Sequence, residues 1–350
     1  MKRYFSTLGQ QPHGIAALIS VPLTILLIAV LLLGLVFNLS PVAGSLLIRK
    51  LFDTPPQLLP DDLSFSDQVN VTNNIAYGSA KDEVLDLYLP KEFDGVCPLI
   101  VWVHGGAFVG GDKRDVTYFA QALAHNGFAV AAINYTRAPE AKYPTPVLQT
   151  GKAYRFLTET YEGAETLDTT RVFFAGDSAG AHIAAQFTTL QTNEAYRESF
   201  LAAHDAEAFP LITKDALKGA LLYCGPYSVE RMVSVTNPFM KFLVSQTGWA
   251  YFGSKNFGDA PAGKEANLVE HVTSAFPSSF ITDGNFLTFP EHAKDLAEQL
   301  TAQGVPVQML LFDGVPEVVE HEFQFDLKEN AGRLALEQTL EFLSKRLLFK

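Results

Sequence analysis

Gly176-Asp177-Ser178-Ala179-Gly180 separates two apolar stretches of different period. Before it, Val172-Phe173-Phe174-Ala175 is a short continuous apolar run, the pattern of a strand buried on both faces. After it, Ala181-His182-Ile183-Ala184-Ala185 opens a helical stretch reaching Leu190. A strand that becomes a helix over so few residues must turn sharply, and small residues flanking the serine allow that turn. The turn holds the Ser178 hydroxyl above the sheet end, at the positive end of the following helix. A bare serine cap on an ordinary turn would need neither flanking strand nor helix.

The rest of the chain has the same alternation. Strand-like runs occur at Val84–Leu89, Pro98–Val103, Phe128–Ile133, Arg171–Ala175, Leu217–Tyr223, Ser279–Thr282 and Val307–Phe312. Helical candidates lie at Val116–His125, Val147–Tyr161, Ala179–Leu190, Glu291–Gln303 and Lys328–Leu348. This order predicts an α/β fold with a mostly parallel sheet, because parallel strands need crossover connections. Ligand sites in such sheets lie beyond the carboxyl ends of the strands. The interval from Gly225 to Phe276 breaks the alternation and carries Trp249, Tyr251 and Phe252, so it is expected to be a small cap insertion at 225–276.

A second loop follows a strand end. His104-Gly105-Gly106-Ala107-Phe108 comes directly after Leu99-Ile100-Val101-Trp102-Val103. Glycines there allow backbone N–H groups to face a ligand, and such a loop builds an oxyanion hole together with the N–H of Ala179. The expected donors are Gly105, Gly106, Ala107 and Ala179. His104 belongs to this loop and is expected to be a structural hydrogen-bonder.

At these residues the chain resembles the hormone-sensitive-lipase-like, or HGGG, branch of the α/β-hydrolase carboxylesterases. Asn134-Tyr135-Thr136-Arg137-Ala138-Pro139-Glu140, followed by Tyr143-Pro144, is similar to that branch's Tyr-x-x-Ala-Pro-Glu segment, and the resemblance covers roughly Val69 to the C-terminus. Ala107 replaces the branch's third glycine, which leaves the backbone donors in place. The resemblance implies an α/β-hydrolase fold with helices on both faces of the sheet. It also implies hydrolysis of a small carboxylic ester through a Ser-His-Asp triad, with no metal and no organic cofactor. Amide hydrolysis is the nearest alternative, and a membrane-tethered binding protein that has lost catalysis is a rival of another class.

Of the eight histidines, only His321, in Glu320-His321-Glu322-Phe323, lies between the last strand and the final helix, where the branch carries its base. The acid is expected at Asp283, directly after Ser279-Phe280-Ile281-Thr282. The branch's own acid sits a few residues further along, just before a Pro-Leu pair, where this chain has Phe286 and Leu287. Glu230, Asp313 and Glu317 remain as alternatives.

The N-terminus differs in kind. Between Arg3 and Arg49 there is no Asp, Glu, Lys or Arg, and Ile15 to Phe37 is almost wholly apolar. As a helix this segment, 15–37, would measure roughly 34 Å, enough to cross a hydrocarbon core of about 30 Å. It predicts a membrane anchor behind a short tail at 1–14; a cleaved signal peptide is the competing reading. Lys2 and Arg3 precede the segment, which favours a cytoplasmic N-terminus and a large domain on the extracytoplasmic side. Residues 38–68, including the Pro-rich stretch Asp53 to Asp62, are expected to be a linker, so a chain starting near Asp53 should be soluble and active. The catalytic domain is expected at 69–350.

With 26 Lys plus Arg against 38 Asp plus Glu, the formal charge of -12 argues against nucleic acid as a partner. Cys97 and Cys224 have no paired spacing and are expected to be buried thiols.

Overall fold

The computed structural model describes residues 13–52, 59, 64–207 and 209–348. Its helices and strands follow in this order: α1 His13–Leu39, α2 Pro41–Leu51, β1 Val69–Ala76, β2 Val84–Pro90, β3 Cys97–Val103, α3 Thr117–His125, β4 Ala129–Ile133, α4 Thr145–Arg155, β5 Leu167–Asp177, α5 Ala179–Thr192, α6 Glu194–His204, β6 Leu217–Tyr223, α7 Val229–Val233, α8 Pro238–Phe252, α9 Pro261–Glu265, β7 Ser279–Asp283, α10 Pro290–Ala302, β8 Val307–Leu311 and α11 Asn330–Leu348.

The strands form one sheet in the order β1-β2-β4-β3-β5-β6-β7-β8. β2 runs antiparallel to both β1 and β4, and every pair from β4 through β8 is parallel. All residues of β3 and β4 are buried, as a parallel strand covered on both faces requires. Alternate residues of β3 supply the two cores. Leu99, Val101 and Val103 pack with α4 and α5, whereas Ile100 and Trp102 pack with α3 and α11. The fold is thus the expected α/β-hydrolase architecture.

β1 and α6 lie outside the runs expected from the sequence. β1 is an edge strand of largely polar, exposed residues, and its identity comes from pairing with β2 rather than from an apolar pattern. α6 follows α5 after the single residue Asn193, whose side chain caps it.

Residues 38–68 are not a simple linker. Ser40 caps α2, which packs on α8: Gly44, Ser45 and Ile48 are buried there. Gly44 allows the close crossing, since a Cβ at this position would sit 2.3 Å from Gln246 Oε1. Arg49 then clasps the loops after β3 and β4, donating to Glu140 and to the carbonyls of Val109 and Ala138. Patterning concealed this helix because its buried face is small and its remaining residues are apolar too. Residues 1–12 of the tail expected at 1–14, and residues 53–58 and 60–63, which take in most of the Pro-rich stretch, lie outside the described residues.

α1 contains a window, Pro22–Leu39, that is long and apolar enough to cross a membrane, and none of that window is buried in the protein. Its last turn is fixed to α8 and to the turn after it. Phe37 meets Phe242 edge-on at 5.3 Å, its carbonyl accepts from Gln246 Nε2, and Asn38 Oδ1 accepts from Lys255 Nζ.

Candidate active site

Ser178 stands between β5 and α5 with φ 50 and ψ -120, a sparsely populated conformation for a residue with a Cβ. The glycines around it are required by close approach. A Cβ on Gly176 would lie 2.4 Å from the Gly180 carbonyl oxygen, and one on Gly180 would lie 2.0 Å from that of Val103. The turn brings the Ser178 hydroxyl against His321, whose Nε2 lies 2.8 Å from Oγ. His321 comes from the loop after β8, as expected.

The next link differs from the expectation. His321 Nδ1 pairs with the Thr288 hydroxyl at 2.8 Å, and that hydroxyl donates a short hydrogen bond to Asp283 Oδ1. Among the described residues Asp283 makes no hydrogen bond to His321 itself, although a carboxylate oxygen and a ring nitrogen lie within 4.8 Å of each other. With Asp283 ionised the proton order runs in one direction: Thr288 O–H donates to the carboxylate, its oxygen accepts Nδ1–H, and the bare Nε2 accepts the serine proton. Asp283 is fully buried at the end of β7, and Gly284 N–H donates to it. Burial pushes its carboxyl up to about 7 against the pull of the Thr288 hydroxyl. Burial also brings the His321 imidazole down to about 4. Nothing in the sequence singles out Thr288.

Among the described residues the alternatives for the acid make no hydrogen bond to His321: Asp313 pairs with Lys294, Glu230 lines a separate groove, and only the backbone carbonyl of Glu317 is engaged, by Asn285 Nδ2. Asn285, just before Phe286, also accepts from Val319 N–H and donates to the Phe312 carbonyl, so it fastens the β7 loop to the histidine loop.

One expected oxyanion donor is already committed. Gly105 N–H donates to Asp177 Oδ2 at 2.7 Å, which removes it from the hole. Gly106 and Ala107 remain, with φ 100 and 53, and among the described residues their N–H groups have no partner. Ala179 opens α5, where a helix leaves its N–H groups free. A Cβ on Gly106 would lie 2.4 Å from Gly110, so only glycine fits.

Asp177 organises the surrounding loops. It accepts from Trp102 Nε1 at 2.7 Å as well as from Gly105, and it shares a hydrogen bond with Glu322, the residue after His321. Burial pushes Asp177 up to about 7, and burial beside Asp177 drives Glu322 up too. The pair therefore holds a proton and ties the serine turn, the glycine loop and the histidine loop together. His104 is structural as expected: its ring stacks on Tyr135 at 4.4 Å, its Nδ1 pairs with the Gly105 carbonyl, and burial lowers it to about 4. His182 and His292 are likewise buried in backbone hydrogen bonds.

Ser178 and His321 sit at the base of a cavity of about 380 Å³. α8 forms much of its wall through Met240, Leu243, Val244 and Thr247, which places the 225–276 insertion over the site. Leu51 and Phe52, from α2 and the residue after it, complete the wall.

A serine paired with a histidine at the carboxyl ends of parallel strands, beneath a helical cap, is the arrangement of the α/β hydrolases, and the chain belongs to that family. The alpha/beta hydrolase fold family matches residues 100–324, and the chain falls in its hormone-sensitive-lipase-like branch. It is similar to the isoprenylcysteine alpha-carbonyl methylesterase ICME of Arabidopsis thaliana, 25% identical over 71% of this chain and 56% of that protein. It is also similar to the kynurenine formamidase of Salmo salar, 31% identical over 32% of this chain and 36% of that protein. The chain spans about half or less of the length of these curated relatives. Among solved structures it is similar to esterase B of Lactobacillus rhamnosis, with a TM-score of 0.66, 17% identity and coverage of 87% of this chain and 92% of that one. A bacterial heroin esterase gives a TM-score of 0.62, 21% identity and coverage of 82% and 87%.

Proposed function

We propose that this protein is a membrane-anchored serine hydrolase that cleaves carboxylic esters. The observation that carries the reading is the 2.8 Å contact between His321 Nε2 and Ser178 Oγ at the base of an apolar cavity. His321 takes the Ser178 proton as Oγ attacks the ester carbonyl carbon. The N–H groups of Gly106, Ala107 and Ala179 stabilise the oxyanion that forms. His321 then returns the proton to the departing alcohol oxygen, leaving an acyl-serine ester. Water hydrolyses that ester by the same steps, releasing the acid and regenerating Ser178. Thr288 holds the imidazole in the tautomer with Nδ1 protonated, and ionised Asp283 stabilises the imidazolium through Thr288.

One similar protein is named a methylesterase and another a formamidase, and attack on a carbonyl can release either an alcohol or an amine. The apolar cavity favours an uncharged ester. α1 supplies the anchor, and Lys2 and Arg3 ahead of it favour an extracytoplasmic catalytic domain.

A fluorophosphonate probe should label Ser178 covalently, and Ser178→Ala should abolish labelling and turnover of p-nitrophenyl esters together. Labelling that survives the substitution would overturn the nucleophile. The full-length chain should remain with membranes after a carbonate wash.

A further inference from the structure

The outer face of α2 has no protein partner among the described residues. Val42, Leu46 and Leu47 are 44%, 50% and 44% exposed, whereas Gly44, Ser45 and Ile48 are buried against the protein. The one charge free to face outward with them is Lys50, because Arg49 is clasped to Glu140. A folded domain in water seldom leaves one side of a helix so apolar. α2 starts one residue after α1, and α1's last turn is bound to α8, so the orientation of α2 relative to α1 is fixed by packing. A helix with one buried face and one apolar face, joined directly to a segment able to cross a bilayer, fits the plane of a membrane interface.

The C-terminal end of α2 reaches the cavity through Leu51. Leu51, Phe239, Phe286 and Leu287 line it together with Ser178 and His321 and are nevertheless 57%, 52%, 47% and 39% exposed, so its rim is apolar. Burying such a rim in lipid removes apolar surface from water and continues the apolar path from the acyl-chain region to the serine.

We propose that the outer face of α2 and the cavity rim lie in the lipid interface, and that the enzyme takes its ester from the bilayer rather than from water. This rests on the reading of the chain as a membrane-anchored serine hydrolase.

The test uses the full-length protein in phosphatidylcholine vesicles with two substrates sharing one leaving group: p-nitrophenyl acetate in the water and p-nitrophenyl oleate dissolved in the bilayer. The native protein should hydrolyse both. Leu46→Glu combined with Leu47→Glu, two positions outside the cavity wall, should lower oleate turnover by about ten-fold or more while α1 keeps the protein in the vesicles. Acetate turnover should stay within about two-fold, because neither side chain touches the serine. Unchanged oleate turnover in the double variant, or a native protein that hydrolyses acetate but not vesicle-borne oleate, would overturn the proposal. A native protein that hydrolyses neither ester would instead overturn the hydrolase reading, and one that leaves the vesicles would overturn the anchor. Should the double variant lose its fold, Leu47→Cys carrying an environment-sensitive fluorophore decides: its emission should shift to the blue in vesicles, and an emission typical of water would refute interfacial placement. Native Cys97 and Cys224 are buried and escape the label.

Discussion

His321 Nδ1 is held by the Thr288 hydroxyl at 2.8 Å, and Thr288 in turn holds Asp283. A hydroxyl can pass orientation from carboxylate to imidazole because it donates to one and accepts from the other, whereas a methyl in its place can do neither. Thr288→Val should therefore reduce kcat by about 10²-fold with little change in KM, and Thr288→Ser should restore most of it. Steady-state kinetics on p-nitrophenyl butyrate check this. Equal losses in the Val and Ser variants would show that Thr288 acts by packing.

Asp283→Asn should cost a few hundred-fold in kcat, less than the ~10⁴ seen when a directly bonded triad aspartate is replaced in a serine protease. The amide can still accept from Thr288, so the tautomer survives while the charge is lost. A full ~10⁴-fold loss would argue that the carboxylate contacts His321 directly during turnover.

Turnover should climb as pH rises through about 7. Catalysis needs a neutral imidazole and an ionised carboxyl. With His321 lowered to about 4 and Asp283 raised to about 7, the imidazole is already neutral between those values while the carboxyl still holds its proton. The step belongs to the interacting pair rather than to one residue. A pH profile of kcat should show this limb in the native enzyme, and the residual activity of Asp283→Asn should lack it.

Stability should fall over the same range. Asp177 and Glu322 are raised above their ordinary values of 3.8 and 4.5, so the native state retains protons that the unfolded chain releases. Such groups lower stability as pH rises from their unfolded values toward their folded ones. Glu322→Gln keeps a donor for Asp177 and removes one ionisation. Its Tm should exceed that of the native protein by about 2–5 °C at pH 8, with a smaller gap near pH 5. A Tm difference independent of pH would reject the proton-sharing account.

Removing the N-terminus should have consequences that depend on where the cut falls. A chain starting at Ser40 keeps α2, Leu51 and Phe52, and should hydrolyse short esters at near-native efficiency. A chain starting at Asp53 lacks that wall and the Arg49 clasp, and should lose about 10- to 100-fold in kcat/KM. Comparing the two purified proteins on p-nitrophenyl butyrate decides the point.

The parts legible in the sequence were those whose constraint is local. Ser178 was legible because a strand, a sharp glycine-flanked turn and a helix are consecutive in the chain, and the geometry of that turn forbids larger residues at Gly176 and Gly180. The parallel sheet was legible because fully buried strands are continuously apolar. His321 could be picked out by elimination after β8, and the exposed apolar run of α1 by its lack of charge. Tertiary structure decided what depends on chain segments far apart in sequence. Thr288 became the partner of His321 across 33 residues, and Gly105 N–H was claimed by Asp177 across 72 residues. α2 became a wall of the cavity by packing on α8, some 200 residues away in sequence. A hydroxyl or an N–H group has no sequence pattern that announces its partner. Which partner it takes is settled only when packing brings donor and acceptor within about 3 Å and excludes water from both.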